Sequence, residues 1–279
     1  MIDRDMLHNS QNSTVLKFYF MGGNGFPTAT YHRFLTTLET NYSIIAPEPR
    51  PLWSNDDPWR THEDWSIFTD DMIANIEKDN LQTVIGCGHS LGAIVTLMAA
   101  VKRPDLFSQI ILIEPPLRSP QTYMSWEAMR THGEVDMREV PMVKQALTRV
   151  AQFDSREIAF ERYRAKRFFS LWPDETIWDY VNYGMIENED GITLAFPAVW
   201  EGWIFSSIPL NLWEQIEQLR TPTVIVRAEH TDVLPADVWS LWKAKSPTAQ
   251  FVQMPDVSHM LPFEKPQQVA ELIMSHIKS

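Results

Sequence analysis

Apolar positions along the chain follow two alternating rhythms. Short runs rich in β-branched and aromatic residues fall at 15–21 (VLKFYFM), 43–46, 83–87 and 109–114, and each reads as a strand. Between them the apolar spacing lengthens to three and four. Trp65, Phe68, Met72, Ile73 and Ile76 share one face of a helix predicted over 62–78. Further helices are predicted over 30–38 and over 91–102, the latter stopping before Pro104. Strand alternating with helix is the pattern of a mostly parallel sheet with helical crossovers.

The alternation breaks near Pro115 and resumes only after Ile208. The intervening stretch reads as helices over 121–131, 140–152, 155–168 and 175–183. Strands return at 223–227 and 250–254, with helices over 236–245 and 266–277. Core-type strands lie on both sides of the break. Residues 14–115 and 209–279 therefore form one α/β core, and 116–208 form a helical cap or lid inserted into it. Residues 1–13 read as a loose lead-in.

Composition narrows the functional classes. A hydrophobic fraction of 44% supports a sizeable core, so disorder is not expected. Charge runs the other way from a polyanion binder: 24 basic residues against 36 acidic give −12. Nucleic acid and anionic membrane surfaces are thereby disfavoured as partners, whereas a small-molecule substrate is not. The single cysteine, Cys87, precludes an internal disulfide and suits a reducing compartment. The polar first residues lack a signal-peptide pattern, and no apolar run approaches the roughly 20 residues of a membrane span. A cytoplasmic protein without membrane insertion is expected. Nothing in the sequence sets an oligomeric state.

The pentapeptide Gly88-His89-Ser90-Leu91-Gly92 sits between a predicted strand and a predicted helix. In that setting a serine occupies a tight turn whose neighbours two positions away must be small, and the helix N-terminus offers free N–H groups to developing negative charge. Ser90 is the candidate nucleophile. A serine hydroxyl needs a base and the base needs an acid. His259, in a loop after the last predicted strand, is the candidate base, while His89 is expected to shape the turn or pocket wall and His230 to be exposed. Asp232, on the loop after the preceding strand, is the expected acid, with Glu229 as a competitor. Glu114, at the end of the strand before the insertion, is the alternative. The Gly22-Gly23-Asn24-Gly25 turn lacks the spacing of a phosphate-binding loop. The backbone N–H groups of Asn24 and Leu91 are the candidate oxyanion donors.

Taken together, the Asn-Gly-Phe-Pro turn at 24–27, Gly-His-Ser-Leu-Gly at 88–92, the Asp232 loop and Ser258-His259 with a downstream Glu-x-Pro resemble the α/β-hydrolase superfamily over roughly residues 14–278. Most similar chains carry His-Gly where this one has Gly22-Gly23, glycine where it has Ser258, and an Arg-Gly-x-Gly loop where it has Pro47 to Trp53. The resemblance implies an α/β-hydrolase fold: a mostly parallel sheet flanked by helices, with a helical cap. It implies hydrolysis of a small, largely apolar ester, thioester or lactone through an acyl-enzyme, with no metal or organic cofactor. Carbon–carbon bond hydrolysis by the same residues, or a low-turnover ligand receptor on this fold, stand as alternatives. The inserted aromatics Trp126, Trp172, Trp178, Trp200 and Trp203 are expected either to line an apolar pocket or to pack the insertion onto the core.

Overall fold

The computed structural model describes residues 16–53, 56–78, 83–132 and 136–277, so the lead-in expected at 1–13 lies outside the described residues. The first half of the core runs β1 (Lys17–Met21), α1 (His32–Leu38), β2 (Ser43–Ile45), the single turn α2 (Pro58–Thr61), α3 (Ser66–Lys78), β3 (Val84–His89), α4 (Leu91–Lys102) and β4 (Phe107–Ile113). The inserted stretch holds α5 (Pro120–His132), α6 (Pro141–Thr148), β5 (Gln152–Phe153), α7 (Arg156–Arg164), α8 (Asp174–Tyr183), β6 (Met185–Asn188), β7 (Gly191–Leu194) and α9 (Ala198–Ser206). The core then resumes with α10 (Leu212–Gln218), β8 (Thr223–His230), α11 (Ala236–Lys245), β9 (Gln250–Ser258), the turn α12 (Leu261–Glu264) and α13 (Pro266–Met274).

Six strands form one sheet in the order β2-β1-β3-β4-β8-β9, and every pairing in it is parallel. Its two faces are both buried, as parallel sheets require. Alternate residues divide accordingly. Phe18, Phe20, Ile85, Cys87, Ile111 and Ile113 join the cluster under α1 and α13, while Tyr19, Val84, Ile110 and Leu112 join the one under α3, α4 and α11. Helix α4 packs closest because Ala93, Ala99 and Ala100 are small and fully buried. The strand order reverses at β1 and β3, whose neighbours then lie on opposite sides. Ligands of open α/β sheets bind at the carboxyl ends of strands flanking such a point.

The insertion between β4 and β8 differs from its expected all-helical form. It contains a three-stranded antiparallel sheet in the order β5-β7-β6. The helix expected over 140–152 stops at Thr148, and Gln152 and Phe153 pair with Thr193 and Ile192 instead. The hairpin from β6 to β7 turns at Gly191, whose φ of +121° is open to glycine alone among ordinary residues. β-strands of two to four residues give too few apolar positions to register as a period of two. Among the described residues no helix is long and apolar enough to cross a membrane.

Candidate active site

The elbow is built by close approach. A Cβ on Gly88 would lie 2.1 Å from the carbonyl of Gly92, and one on Gly92 would lie 2.0 Å from the Met21 oxygen, so both positions admit glycine only. Ser90 between them adopts φ 55°, ψ −116°, a left-handed conformation that side chains rarely take. Its N–H donates to the Ile113 carbonyl at 2.9 Å, and the Gly92 N–H donates to the Gly22 carbonyl at 3.2 Å. The elbow is thereby tied both to the end of β4 and to the loop after β1.

His259 follows β9 directly and turns its ring back to the elbow. Its Nε2 lies 3.1 Å from Ser90 Oγ, and its Nδ1 lies 3.1 Å from Oε2 of Glu114. Glu114 is fully buried and stands at φ 49°, the turn that ends β4. Its carboxylate accepts two further bonds, from the Ala228 N–H at 2.7 Å and the Thr231 hydroxyl at 2.6 Å. Three donors satisfy a carboxylate that would otherwise be costly to bury.

The carboxylate beside His259 is therefore that of Glu114, the alternative, and not that of Asp232. Asp232 is exposed, and its main-chain carbonyl, not its carboxylate, is engaged, accepting from Arg118 at 2.6 Å. Glu229 is exposed as well, its Oε2 accepting the Asp256 N–H at 2.9 Å. The end of β8 and the loop after it contribute donors to Glu114 through Ala228 and Thr231, and Asp232 lies exposed beyond them. A signal for Glu114 existed in the sequence: a carboxylate placed at the end of the wholly apolar run Ile110–Ile113 is almost never buried unpaired.

Leu91 opens α4, so its N–H is among the donors that a helix leaves without an internal acceptor. In the loop after β1 the Gly23 N–H is taken by the Tyr31 hydroxyl at 2.8 Å, and the next N–H along the chain is that of Asn24. Gly23 itself is close-packed on the elbow, a Cβ there falling 3.3 Å from Ser90 Cβ. The Asn24 side chain reaches across to the insertion, donating from Nδ2 to the Glu201 carbonyl at 3.1 Å.

Two further residues were given no role in the sequence reading. Glu264 is buried and accepts both the N–H of Ser258, at 2.7 Å, and the Ser258 hydroxyl, fixing the residue before the histidine. The serine hydroxyl thus supplies a second loop bond. Tyr31 is the other, and it meets His89 at 2.8 Å. His89 lies fully buried beside His259, and burial first, then that neighbouring ring, pushes its pKa down to about 3. It is a neutral imidazole at any ordinary pH.

The inserted aromatics are mostly seam. Trp172 stacks on Phe263 with centroids 4.4 Å apart and planes 4° from parallel, and Trp200 and Trp203 pack against His62 and Phe68. Trp178 stacks on Phe160 within the insertion. Glu201, on α9, forms an ion pair with Arg149, yet burial still raises its carboxyl to about 6. His230 is exposed, and with Glu229 and Asp256 it makes the one group with metal-ligand spacing among the described residues, all three on the surface.

Comparison with known proteins agrees with this architecture. A family model described as the alpha/beta hydrolase family matches residues 20–272. The uncharacterized hydrolase YugF of Bacillus subtilis (strain 168) is 20% identical over 250 residues, spanning 89% of this chain and 85% of that protein. Among solved structures, E-2-(acetamidomethylene)succinate hydrolase superposes with a TM-score of 0.76 at 19% identity, over 95% of this chain and 92% of its own. The enol-lactonase from Burkholderia xenovorans LB400 superposes with a TM-score of 0.63 at 13% identity, over 96% and 92%.

Proposed function

This chain belongs to the alpha/beta hydrolase family, and from that premise we propose that it is a serine hydrolase of a small, largely apolar carboxylic ester, thioester or lactone, acting through an acyl-enzyme. The observation that carries the reading is the continuous hydrogen-bonded line Glu114–His259–Ser90, with 3.1 Å at each of its two links. A nucleophile, a base and an acid in one line are the parts that acyl transfer needs.

In this reading Ser90 Oγ attacks the acyl carbon while its proton passes to His259 Nε2. The oxyanion forms between the N–H groups of Asn24 and Leu91, each donor worth about 10²- to 10³-fold in rate. His259 then gives the proton to the departing alcohol, thiol or ring oxygen, and the acyl-enzyme is hydrolysed by the same steps run with water. Glu114 accepts a hydrogen bond from the Nδ1–H, which keeps that proton on Nδ1, leaves Nε2 basic and balances the imidazolium that arises during transfer. Asn24 also bonds the insertion at Glu201, which supports reading residues 116–208 as a cap closing over the acyl side of the site.

Fluorophosphonate labelling followed by peptide mapping tests the reading. A single adduct on Ser90, lost in Ser90→Ala, is expected, together with turnover of short p-nitrophenyl esters. A folded wild-type chain that stays unlabelled while a control esterase reacts would overturn it.

A further inference from the structure

The loop after β1 opens on Gly22, where there is no room for a side chain. A Cβ at residue 22 would lie 2.6 Å from Cε2 of Tyr31, so the phenol ring occupies the space a side chain there would need. Tyr31 ends the short 3-10 helix Thr28–Tyr31 and is 1% exposed, clamped against Phe20 and Phe263.

The directions of its hydrogen bonds are fixed. His89 Nε2 lies 2.9 Å from the main-chain oxygen of His259. A carbonyl oxygen only accepts, so Nε2 carries the proton. Nδ1 of the neutral ring is then the acceptor, and the Tyr31 hydroxyl 2.8 Å away must donate to it. With its proton so committed, the Tyr31 oxygen accepts the Gly23 N–H at 2.8 Å. The line runs from the loop after β1, through the elbow, to the backbone of the base. It begins one residue before a proposed oxyanion donor and ends on the proposed base itself.

We propose that Tyr31 and His89 are positioning residues for the reaction, forming one bridge that sets the Asn24 N–H and the His259 ring at fixed places about Ser90. Tyr31 reaches from the following helix into the space that Gly22 leaves open. The inference rests on the serine hydrolase reading, since it assigns places to that reading's oxyanion donor and base. A bridge of this kind acts on geometry in the transition state and leaves ester binding alone.

The test is steady-state kinetics on a p-nitrophenyl ester for Tyr31→Phe, His89→Leu, their double variant and His89→Gln. Tyr31→Phe keeps the ring and removes only the hydroxyl. It is expected to lower kcat about 10- to 30-fold, less than outright loss of an oxyanion donor, with KM within about twofold. The double variant is expected to lose no more than about the larger single loss, because both changes cut the same line. His89→Gln offers one acceptor and one donor along a similar reach, so it is expected to retain more activity than His89→Leu. Should Tyr31→Phe fail to fold, the ordering of the two His89 variants decides alone.

Wild-type kcat in Tyr31→Phe, losses that multiply in the double variant, or equal activity in the Gln and Leu variants would each overturn the bridge. Failure of the underlying reading looks different. In that case wild type itself gives no Ser90 adduct, whereas a bridge that fails leaves wild type labelled and active.

Discussion

Oε2 of Glu114 lies 3.1 Å from Nδ1 of His259, although the two residues are 145 positions apart in the chain and directly follow non-adjacent strands, β4 and β9. The strand between them, β8, and the residue that follows it span the gap with two donors, the Ala228 N–H and the Thr231 hydroxyl, both bonded to the same carboxylate. The Glu114 carboxylate therefore approaches the histidine from the middle of the sheet and not from the loop after β8. This arrangement has a direct kinetic consequence. In Glu114→Gln the side-chain amide can turn an N–H toward Nδ1, favouring the imidazole tautomer with its proton on Nε2, which cannot accept from Ser90. A loss of about 10³- to 10⁴-fold in kcat is expected. Asp232→Asn, on the exposed loop, should stay within about threefold. Assays of both variants on one p-nitrophenyl ester check the pair, and the opposite ranking would return the acid to Asp232.

Thr231 allows a finer test of the same carboxylate. Its hydroxyl donates to Glu114 and also accepts the Val233 N–H at 3.1 Å. Thr231→Val keeps the shape and leaves a buried carboxylate oxygen with one donor fewer. The expected cost is about 1–3 kcal/mol of stability, seen in urea unfolding. Activity should fall far less than in Glu114→Gln, because the bond to His259 remains. A Thr231→Val chain as stable as wild type would show that this donor is dispensable.

Much of this fold was legible because its signals are local and strong. The strands at 109–114 and 223–227 are apolar runs with both faces buried, and the helix over 91–102 ends where Pro104 forbids continuation. The elbow was legible for the same reason: glycines two residues either side of Ser90 encode a steric requirement that the 2.0 and 2.1 Å approaches make explicit. The choice between Asp232 and Glu114, both read as candidates, was not, because it depends on which carboxylate faces the histidine. That is decided by the path of residues 228–233, and hydrophobic periodicity carries no information about it. Tyr31 was invisible for a related reason. A buried tyrosine reads as core until its hydroxyl is seen between Gly23 and His89. The small antiparallel sheet of the insertion was missed because its strands are too short to show a period.

The glycine requirement predicts an asymmetry. Gly88→Ala and Gly92→Ala place a Cβ within about 2 Å of backbone atoms that cannot move aside without displacing β1 or α4. A loss of about 3 kcal/mol or more is expected for each, or roughly 10 °C in Tm for a chain of this size. Gly25→Ala meets only the Glu201 carboxylate at 3.4 Å, but its φ of +89° is strained for alanine, so about 1–2 kcal/mol is expected there. Thermal unfolding of the three variants should rank Gly25→Ala as the mildest.

His89 gives the acid limb of stability a definite origin. In the unfolded chain its imidazole titrates near 6.5, and in the folded protein at about 3, because burial and the His259 ring oppose the charge. Between those values the unfolded chain holds a proton that the folded protein does not. Stability from this group is therefore complete above pH 6.5 and is lost as pH falls toward 3, by up to about 1.4 kcal/mol per pH unit. Glu201 works in the opposite sense. Its carboxyl, raised from 4.5 to about 6 by burial, favours the folded state as pH falls through that interval. That contribution is common to wild type and His89→Gln and cancels when the two are compared. Urea unfolding at pH 6.5 and pH 4.5 should then show wild type losing about 2 kcal/mol more than His89→Gln over this range. Equal losses in the two proteins would mean that His89 takes up its proton without unfolding, and that the neutral ring joining Tyr31 to His259 is not a condition of the native state.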